Sequence, residues 1–288
     1  MKKIAIIGHN GMVGKQLYKW FAVNRISPKY EVMGLSKDSQ THNWKKINQK
    51  ADYIFIAVPT PFDWETNKYD LSILEEVVEN IKGNEYASHP IVIIKSTVLP
   101  GTTEKLQEKR KDLKFIFNPE FLSAKTAYED FTNPDRQLIG YTHESYSYAQ
   151  EVLNLLPVSP YDVMMKATEA EICKYINNFH GALMVMFANF FYDVTSKFGR
   201  ELDFEIIKKA AQASKWVGSP MGRMYWEVFH KGKRGYGGGC FPKDINSLIE
   251  WCKENKVDTE IIEATRKANR RILKKQGLTE KEVEKHNG

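Results

Sequence analysis

Apolar and polar positions follow two different spacings along the first half of the chain. We predict strands from its short apolar runs, which lie at residues 4–7, 30–35, 53–58, 91–95, 115–117 and 137–139. We predict helices where apolar residues recur every three or four positions, at residues 13–23, 71–81 and 103–111. Because strands that alternate with helices favour βαβ units, we expect an α/β fold over residues 1–165, with a Rossmann-type, doubly wound parallel sheet.

The pattern after about residue 160 is helical only. Thr168 and Glu171 have the spacing of a capping box, which predicts a helix start, and Gly199 is a suitable C-cap. The helix between them would span about 30 residues, or about 45 Å. Apolar residues cover nearly all its faces, so it must be buried, and we expect it to form the core of a homodimer. We therefore predict a second, all-helical domain over residues 166–288 with this long helix at its centre.

Composition narrows the possible functions. The formal net charge of +6 suits a phosphorylated ligand as well as lysine-rich helix faces in water, and no nucleic-acid-binding motif accompanies it. The three cysteines are widely spaced, which predicts neither a disulfide framework nor a metal site. The most apolar run, residues 179–194, contains His180, Asn189 and Asp193 and is too polar for a membrane span. We expect a cytoplasmic protein without a signal peptide that binds neither nucleic acid nor membrane.

Residues 6–14 read IIGHNGMVG, a G-x-x-G-x-x-G loop between the first strand and the first helix. Its glycines permit a close approach to a pyrophosphate, and the helix N-terminus offers N–H groups and a positive dipole end. The loop is one residue longer than the usual fingerprint, and a tight turn without a ligand is the alternative. We predict that Gly8, Gly11, Met12 and Val13 bind a dinucleotide.

The end of the second predicted strand bears on the choice between NAD and NADP. An NAD site carries an acidic residue there for the ribose hydroxyl. Ser36 takes that position and Lys37 follows it, and a hydroxyl beside a cation suits a 2′-phosphate. Asp38 is close enough in sequence to bind the ribose hydroxyl instead, so these residues do not decide between NAD and NADP.

Residues 235–244, GYGGGCFPKD, carry the strongest chemical signal. Pro242 suits the first turn of a helix, which places Cys240 at the helix N-terminus, where the pKa of a thiol falls below its free value of about 8.5. Lys243 adds positive charge, and Asp244 lies four residues on, on the same helix face. Together these features predict a nucleophilic cysteine, and a small buried cysteine is the alternative.

Lys174 and Asn178 are four residues apart on the long helix and so share one face. A lysine and an amide on one face can hold a developing oxyanion. The alternative is a solvated pair, which applies unless this face meets the Cys240 loop. Cys173 and Cys252 lack glycines and charges of this kind around them, and we interpret them as structural.

The chain resembles the UDP-glucose/GDP-mannose dehydrogenase family in seven motifs that occur in the same order. These are the glycine loop, VPTP at 58–61, KSTV at 95–98, NPEFL at 118–122, NPDR at 133–136, the Lys174–Asn178 pair and GYGGGCFPKD at 235–244. Each motif alone is modest, but the ordered set is specific and runs from Ile4 to about Ile272.

The resemblance implies that a sugar CH₂OH group is oxidised to a carboxylate in two hydride transfers to NAD, with NADP not excluded. The first transfer gives an aldehyde, which the Cys240 thiolate attacks to form a thiohemiacetal. The second transfer gives a thioester, which water hydrolyses. The implied substrate is a nucleotide sugar, first of all UDP-glucose, which would become UDP-glucuronate. GDP-mannose and a UDP-N-acetylhexosamine are the alternatives.

The resemblance also implies roles for individual residues. Lys174 and Asn178 would stabilise the oxyanion, and Asp244 would orient or activate water. Thr97 and Glu120 would help at the hydrolytic or the first oxidative step. The other implied cofactor-binding residues are Ser36, Lys37, Val58, Pro59, Thr60, Thr97 and Lys243. The implied substrate-binding residues are Glu120, Phe121, Leu122, Lys174, Asn178, Arg223, Tyr236 and Gly237.

Family members usually carry a third, nucleotide-gripping domain, and we expect this chain to stop where that domain would begin. Two other readings therefore stay open. A simple β-hydroxyacid dehydrogenase shares the domain order but makes one hydride transfer and does not need Cys240 or the NPEFL motif. A catalytically reduced relative would bind the nucleotide without turnover, which the retained chemical residues disfavour.

Overall fold

The computed structural model describes residues 1–23, 30–36, 40–82, 90–214, 217 and 225–285. The chain divides into two compact units. The first comprises Met1–Pro61 and Asp70–Lys174, and the second comprises Phe62–Tyr69 and Tyr175–Gly288. The two domains predicted above, 1–165 and 166–288, divide the chain by sequence pattern and stay a prediction.

One helix is much longer than the other elements that the structure describes. The strands are β1 (Lys3–Ile7), β2 (Glu31–Leu35), β3 (Tyr53–Ile56), β4 (Phe62–Asp63), β5 (Lys68–Tyr69), β6 (Ile91–Ile94), β7 (Lys114–Phe117), β8 (Gln137–Tyr141) and β9 (Asp162–Lys166). The α-helices are α1 (Met12–Val23), α2 (Gln40–Lys50), α3 (Ser72–Asn80), α4 (Thr102–Lys109), α5 (Ala127–Thr132), α6 (Ala149–Leu153), α7 (Ala167–Thr195), α8 (Phe204–Gln212), α9 (Phe241–Glu254), α10 (Glu260–Lys274) and α11 (Glu280–Lys285).

The first unit holds a seven-stranded sheet in the order β2-β1-β3-β6-β7-β8-β9. Successive residues of β1 point to opposite faces, and both faces are covered. Ala5 and Ile7 lie in one buried apolar cluster, whereas Ile4 and Ile6 lie in another. This two-sided burial explains why the strands read as continuous apolar runs, and it confirms the α/β, Rossmann-type fold.

Two details of the sheet differ from the prediction. β7 and β8 pair antiparallel, so the sheet is mostly rather than wholly parallel. A buried strand has the same apolar pattern in either direction, so the antiparallel direction of β8 could not be predicted from that pattern. β9 pairs parallel with β8 and extends the strands beyond residue 160. It was missed because it alternates exposed and half-buried residues and has no apolar run.

The start of α7 also differs from the prediction. The helix begins at Ala167, so Thr168 lies inside it, and the capping box predicted for Thr168 and Glu171 is wrong. Glu169 takes over the capping role because its Oε2 accepts the Lys166 N–H at 2.7 Å. Glu171 is fully buried and turns toward a different helix, α4, as described below.

The second unit contains most of α7, the β4–β5 hairpin and helices α8 to α11. A buried apolar cluster joins α7 to α9 and α10 through Ala182, Val185, Ile245, Ile249 and Ile262. A 3₁₀ segment, Ser196–Glu201, follows α7, and Gly199 there has a φ of 67°. Within the ranges described above, no helix is both long and apolar enough to cross a bilayer.

The apolar residues of α7 are not all buried within one chain. Ile176 and Phe190 each expose 62% of their surface, and Phe187, Phe191 and Val194 each expose about two fifths. The expectation that the helix is buried on every face is therefore not met inside a single chain. Of these side chains, Phe187, Phe190, Phe191 and Val194 form an uncovered apolar face on the second half of α7.

Candidate active site

The glycine loop has the backbone shape that a dinucleotide site requires. Gly8 has a φ of 86°, and its N–H donates to the Leu35 carbonyl at 2.9 Å. A Cβ atom on Gly8 would lie 2.4 Å from the Ala57 carbonyl oxygen, and one on Gly14 would lie 2.1 Å from the Gly8 carbonyl oxygen. Only glycine fits at both positions. The loop then enters α1 at Met12, so the residues present fit a pyrophosphate at a helix N-terminus.

His9 is a residue of this loop that the sequence pattern did not single out. Its ring fills the space above Gly34 of β2, where a Cβ atom would lie 2.7 Å from His9 Cγ. The His9 Nδ1 atom is buried and has no hydrogen-bond partner among the described residues. Ser36 follows β2 and is half-buried, whereas Lys37 lies outside the described residues.

Two sequence motifs meet at the carboxyl ends of β3 and β6. The Thr60 hydroxyl donates to the Thr97 carbonyl at 2.8 Å, and the Ser96 hydroxyl donates to the Val58 carbonyl at 2.7 Å. Pro59 lies between Val58 and Thr60 and is exposed. Ligands of open α/β sheets bind at this edge, and the structure brings four of the predicted cofactor residues together there.

Lys174 and Glu120 form a buried ion pair in the first unit. Lys174 Nζ lies 2.9 Å from Glu120 Oε1 and donates to the Glu120 carbonyl at 2.5 Å, while Glu120 Oε2 accepts the Leu122 N–H at 2.8 Å. Burial alone would raise the pKa of Glu120. The charge and hydrogen bond of Lys174, the Leu122 N–H and the charge of Lys95 together lower that pKa instead.

A second buried lysine lies near this pair. Lys95 Nζ donates to Asn118 Oδ1 at 2.7 Å, and Asn118 Nδ2 donates to the Leu138 carbonyl at 2.8 Å. Burial lowers the pKa of Lys95 to about 8, with the charge of Glu120 opposing the shift and that of Lys174 adding to it. Lys95 and Asn118 belong to the KSTV and NPEFL motifs, but no role was predicted for them, because only their shared burial reveals the contact.

The Phe121 ring lies next to two cations. The Arg136 guanidinium carbon is 4.0 Å from the ring centroid, and Lys174 Nζ is 5.5 Å from it. Both distances fall within the range of cation–π attraction. Three of the predicted substrate-binding residues, Glu120, Phe121 and Leu122, thus follow β7 as a short run bordered by positive charge.

In the second unit, Cys240 is the N-cap of α9, and Pro242 lies in the first turn. Cys240 is half-buried. Lys243 Nζ lies 2.5 Å from Asp244 Oδ1, and Asn178 Nδ2 donates to Asp244 Oδ2 at 2.5 Å. Asn178 and Asp244 are both buried, and Lys174 is buried as well, so neither residue of the Lys174–Asn178 pair is solvated.

The ammonium of Lys243 stays charged beside the thiol. Burial alone would lower the pKa of Lys243, but the charges of Asp244, Tyr69 and Cys240 and the hydrogen bond to Asp244 together raise it. A cation and a helix N-terminus both favour the thiolate form of a cysteine. Cys252, by contrast, is buried in α9, and burial raises the pKa of its thiol.

The other predicted substrate residues have varied positions. The Tyr236 side chain is buried, and a Cβ atom at Gly237 would lie 3.0 Å from Val283 Cβ. Arg223 lies outside the described residues. Lys174 and Asn178 stand one helical turn apart on α7, which runs from the first unit into the second.

Two domain models of one protein family match most of the chain. Residues 29–155 match the model described as the UDP-glucose/GDP-mannose dehydrogenase family, NAD binding domain, and residues 168–271 match the central domain of the same family. A UDP-glucose 6-dehydrogenase of Pseudomonas aeruginosa is 32% identical over an alignment of 237 residues, and the match covers 77% of this chain and 49% of that protein. The chain spans about half the length of the curated relatives it matches.

Two solved structures share the fold. A UDP-glucose dehydrogenase from Pyrobaculum islandicum has a TM-score of 0.77 and 24% identity, and the match covers 96% of this chain and 71% of that chain. A UDP-D-ManNAc dehydrogenase from Pyrococcus horikoshii has a TM-score of 0.73 and 20% identity, covering 96% and 72%. At these identities the likeness is one of fold. Since the two domain models together cover most of the sequence in their expected order, the chain belongs to the UDP-glucose/GDP-mannose dehydrogenase family.

Proposed function

We propose that this chain oxidises the CH₂OH group of a nucleotide sugar to a carboxylate with NAD, and that UDP-glucose is the substrate. GDP-mannose and a UDP-N-acetylhexosamine are the alternative substrates, and NADP is the alternative cofactor. The observation that carries the proposal is the position of Cys240 at the N-terminus of α9, in the same turn as Lys243 and Asp244. A simple β-hydroxyacid dehydrogenase, which makes one hydride transfer, would not need such a thiol.

The proposed reaction consists of two oxidations followed by one hydrolysis. In the first, the primary alcohol loses a hydride and a proton and becomes an aldehyde. The Cys240 thiolate then adds to the carbonyl carbon, and the resulting oxygen is held as an oxyanion or takes a proton. Loss of a second hydride, together with the O–H proton where the oxygen has taken one, converts this thiohemiacetal into a thioester. Water attacks the thioester, the C–S bond breaks, and the carboxylate and the thiol are released. NAD⁺ supplies the hydride acceptor in both oxidations.

Two groups of residues can serve this chemistry, and each is described within its own unit. In the first unit the buried Lys174 ammonium can stabilise negative charge on a substrate oxygen, and its ion pair with Glu120 orients it. In the second unit the Asn178 amide is oriented by Asp244, whose other oxygen is held by Lys243. Asp244 is buried between Asn178 and Lys243, and its side chain can accept a proton from the water that cleaves the thioester.

A stoichiometric assay tests the proposal. The protein is mixed with UDP-glucose and NAD⁺ or NADP⁺, and the reduced cofactor formed is counted for each sugar consumed. Two reduced cofactors for each sugar support the proposal. One would indicate a single-transfer dehydrogenase, and none with measurable nucleotide binding would indicate a relative without turnover. Repeating the assay with GDP-mannose and UDP-N-acetylhexosamines separates the candidate sugars.

We further propose that the apolar face of α7 pairs two copies of the chain. Phe191 makes edge-to-face contacts with Phe187 and Phe190, yet all three rings remain partly exposed, as does Val194. Side chains of this size are seldom left in water as a continuous patch. We also propose a cytoplasmic location, which suits a mechanism that needs a reduced thiol, since none of the three cysteines forms a disulfide.

A further inference from the structure

The glycine-rich loop before Cys240 is held at two backbone points by residues from outside it. Asn269 of α10 clamps Tyr236 because its Oδ1 accepts the Tyr236 N–H at 2.8 Å and its Nδ2 donates to the Tyr236 carbonyl at 3.1 Å. Two residues later, the Gly238 N–H donates to the Val283 carbonyl at 3.0 Å. Val283 belongs to α11, so the last helix of the described chain holds the loop two residues before the thiol.

The loop needs such support because of its composition. Gly235 and Gly238 have φ values of 87° and 78°, and glycine moves freely between positive and negative φ when nothing holds it. The fit against α11 is close: Val283 exposes 6% of its surface, and a Cβ atom on Gly237 would lie 3.0 Å from Val283 Cβ. Val283 therefore restricts the movement of the loop by its side-chain packing as well as by the hydrogen bond to its carbonyl.

α11 is in turn attached to the framework that carries Cys240. Glu280 is 4% exposed, and its Oε2 accepts from Arg270 Nε at 2.7 Å and from Asn246 Nδ2 at 3.4 Å. Asn246 lies on α9, whose N-cap is Cys240. A second attachment joins Glu284 Oε2 to Trp64 Nε1 at 2.5 Å. The segment thus bridges the loop and the helix on either side of the thiol.

We propose that residues 279–284 form a brace that positions the Cys240 thiol at the N-terminus of α9. Val283 and Glu280 are its positioning residues. The brace lies beyond residue 271, where the matched central-domain model ends. The proposal deepens the proposed function, since it concerns the same thiol. Without the brace the glycines would release Cys240 from the helix end and from Lys243, and its thiolate would lose their stabilisation.

The test measures the rate at which iodoacetamide alkylates each cysteine of the full chain as a function of pH, resolved by peptide mass spectrometry. In the unmodified protein we expect the midpoint for Cys240 below the free-thiol value of about 8.5. In Val283→Asp, a buried carboxylate expels α11, and we expect the midpoint to rise by about one pH unit toward that value. Cys252 is the internal reference, because its buried thiol stays protected while the second unit remains folded.

Lys281→Ala is the matched control, since Lys281 is exposed on the same helix and should leave the Cys240 midpoint unchanged. If Cys252 becomes reactive in Val283→Asp, that variant has unfolded. The Cys240 midpoint is then measured in the milder variants Val283→Ala and Glu280→Gln. An unchanged Cys240 midpoint in a folded Val283→Asp, or in both milder variants, would overturn the proposal. The assay needs no nucleotide sugar. A shifted midpoint in a protein that reduces no NAD would support the brace and end the proposed function.

Discussion

Asn178 and Asp244 are 66 residues apart in sequence, yet Asn178 Nδ2 lies 2.5 Å from Asp244 Oδ2 in the interior of the second unit. The other Asp244 oxygen is held by Lys243, so both carboxylate oxygens are engaged. The contact joins the long helix to the first turn of α9. It therefore links the predicted oxyanion residue Asn178 to the turn that carries the thiol.

Replacing Asp244 by alanine should destabilise the protein strongly. The change leaves Lys243, whose side chain is 13% exposed, as a nearly buried charge without its partner. Breaking a buried pair in this way costs about 3–5 kcal/mol of unfolding free energy, which urea denaturation would measure. Glu75→Ala is the control, because the Lys109–Glu75 pair is exposed, with side chains 68% and 47% accessible, and should cost under about 1 kcal/mol. Equal losses in the two variants would contradict the prediction.

Replacing Cys240 by serine should stop complete oxidation. A serine hydroxyl is not ionised at neutral pH and cannot form the thioester, so we expect uronate formation to fall roughly 10³-fold or more. Mass spectrometry of the sugar product, together with the yield of reduced cofactor, measures this loss. Cys173→Ser is the control, since Cys173 is a half-buried thiol on α7 that we interpret as structural. Normal uronate output from the Cys240 variant would refute the covalent mechanism.

Glu171 should make stability depend on pH. Its carboxylate accepts hydrogen bonds from the Gly101 N–H at 2.5 Å, the Thr103 N–H at 2.8 Å and the Thr103 hydroxyl at 2.6 Å, at the start of α4. Burial nevertheless raises the pKa of Glu171 from 4.5 to about 7. The folded protein therefore binds this proton more tightly than the unfolded chain. The resulting stabilisation is complete below pH 4.5 and is lost as the pH rises through about 7.

The corresponding experiment compares urea unfolding of the unmodified protein and Glu171→Gln at several pH values between 4 and 8. We expect the unmodified protein to lose on the order of 3 kcal/mol across this interval relative to the variant, which has no proton to release. Glu169→Gln is the control, because Glu169 caps α7 from the same helical turn at an exposed hydrogen bond. Parallel pH profiles for the unmodified protein and Glu171→Gln would rule the assignment out.

The apolar face of α7 should determine the oligomeric state. Phe190 is 62% exposed, and a glutamate there would place a charge inside the proposed contact between two copies. We expect Phe190→Glu to convert a dimer into a monomer, as measured by sedimentation equilibrium at micromolar concentration. Lys105→Glu introduces the same residue at an exposed position of α4 and should leave the dimer intact. An unmodified protein that sediments as a monomer would count against the paired face.

Elements that a local pattern defines could be predicted from the sequence. The glycine loop, its flanking β1 and α1, and the helix start after Cys240 were all predicted, because residues close in sequence decide each of them. The long helix was predicted as well, although its first residue was misplaced. Glu171 shows why: it lies at the capping spacing, but its partners are Gly101 and Thr103, about 70 residues away.

Long-range pairings left no trace in the local pattern. Lys95 and Asn118 were visible in their motifs, but their contact depends on β6 and β7 lying side by side in the sheet. The antiparallel direction of β8 and the half-exposed strand β9 were not predicted for the same reason. Each depends on pairing with a neighbouring strand. The sequence pattern did not indicate a role for His9, because the glycine motif specifies no residue type at that position and the His9 ring packs on Gly34 of β2.

The β4–β5 hairpin has a consequence for how the protein is made. Its eight residues, Phe62–Tyr69, belong to the second unit, although the chain on both sides of them builds the first. They pack on α9, and Tyr69 lies under the Lys243 ammonium, 5.8 Å from its ring centroid. During synthesis on the ribosome this early hairpin must wait for more than half of the chain before its partner helix emerges. An N-terminal fragment that ends near residue 165 would therefore contain the hairpin without α9, on which it packs. We expect the two units to be better expressed together than apart.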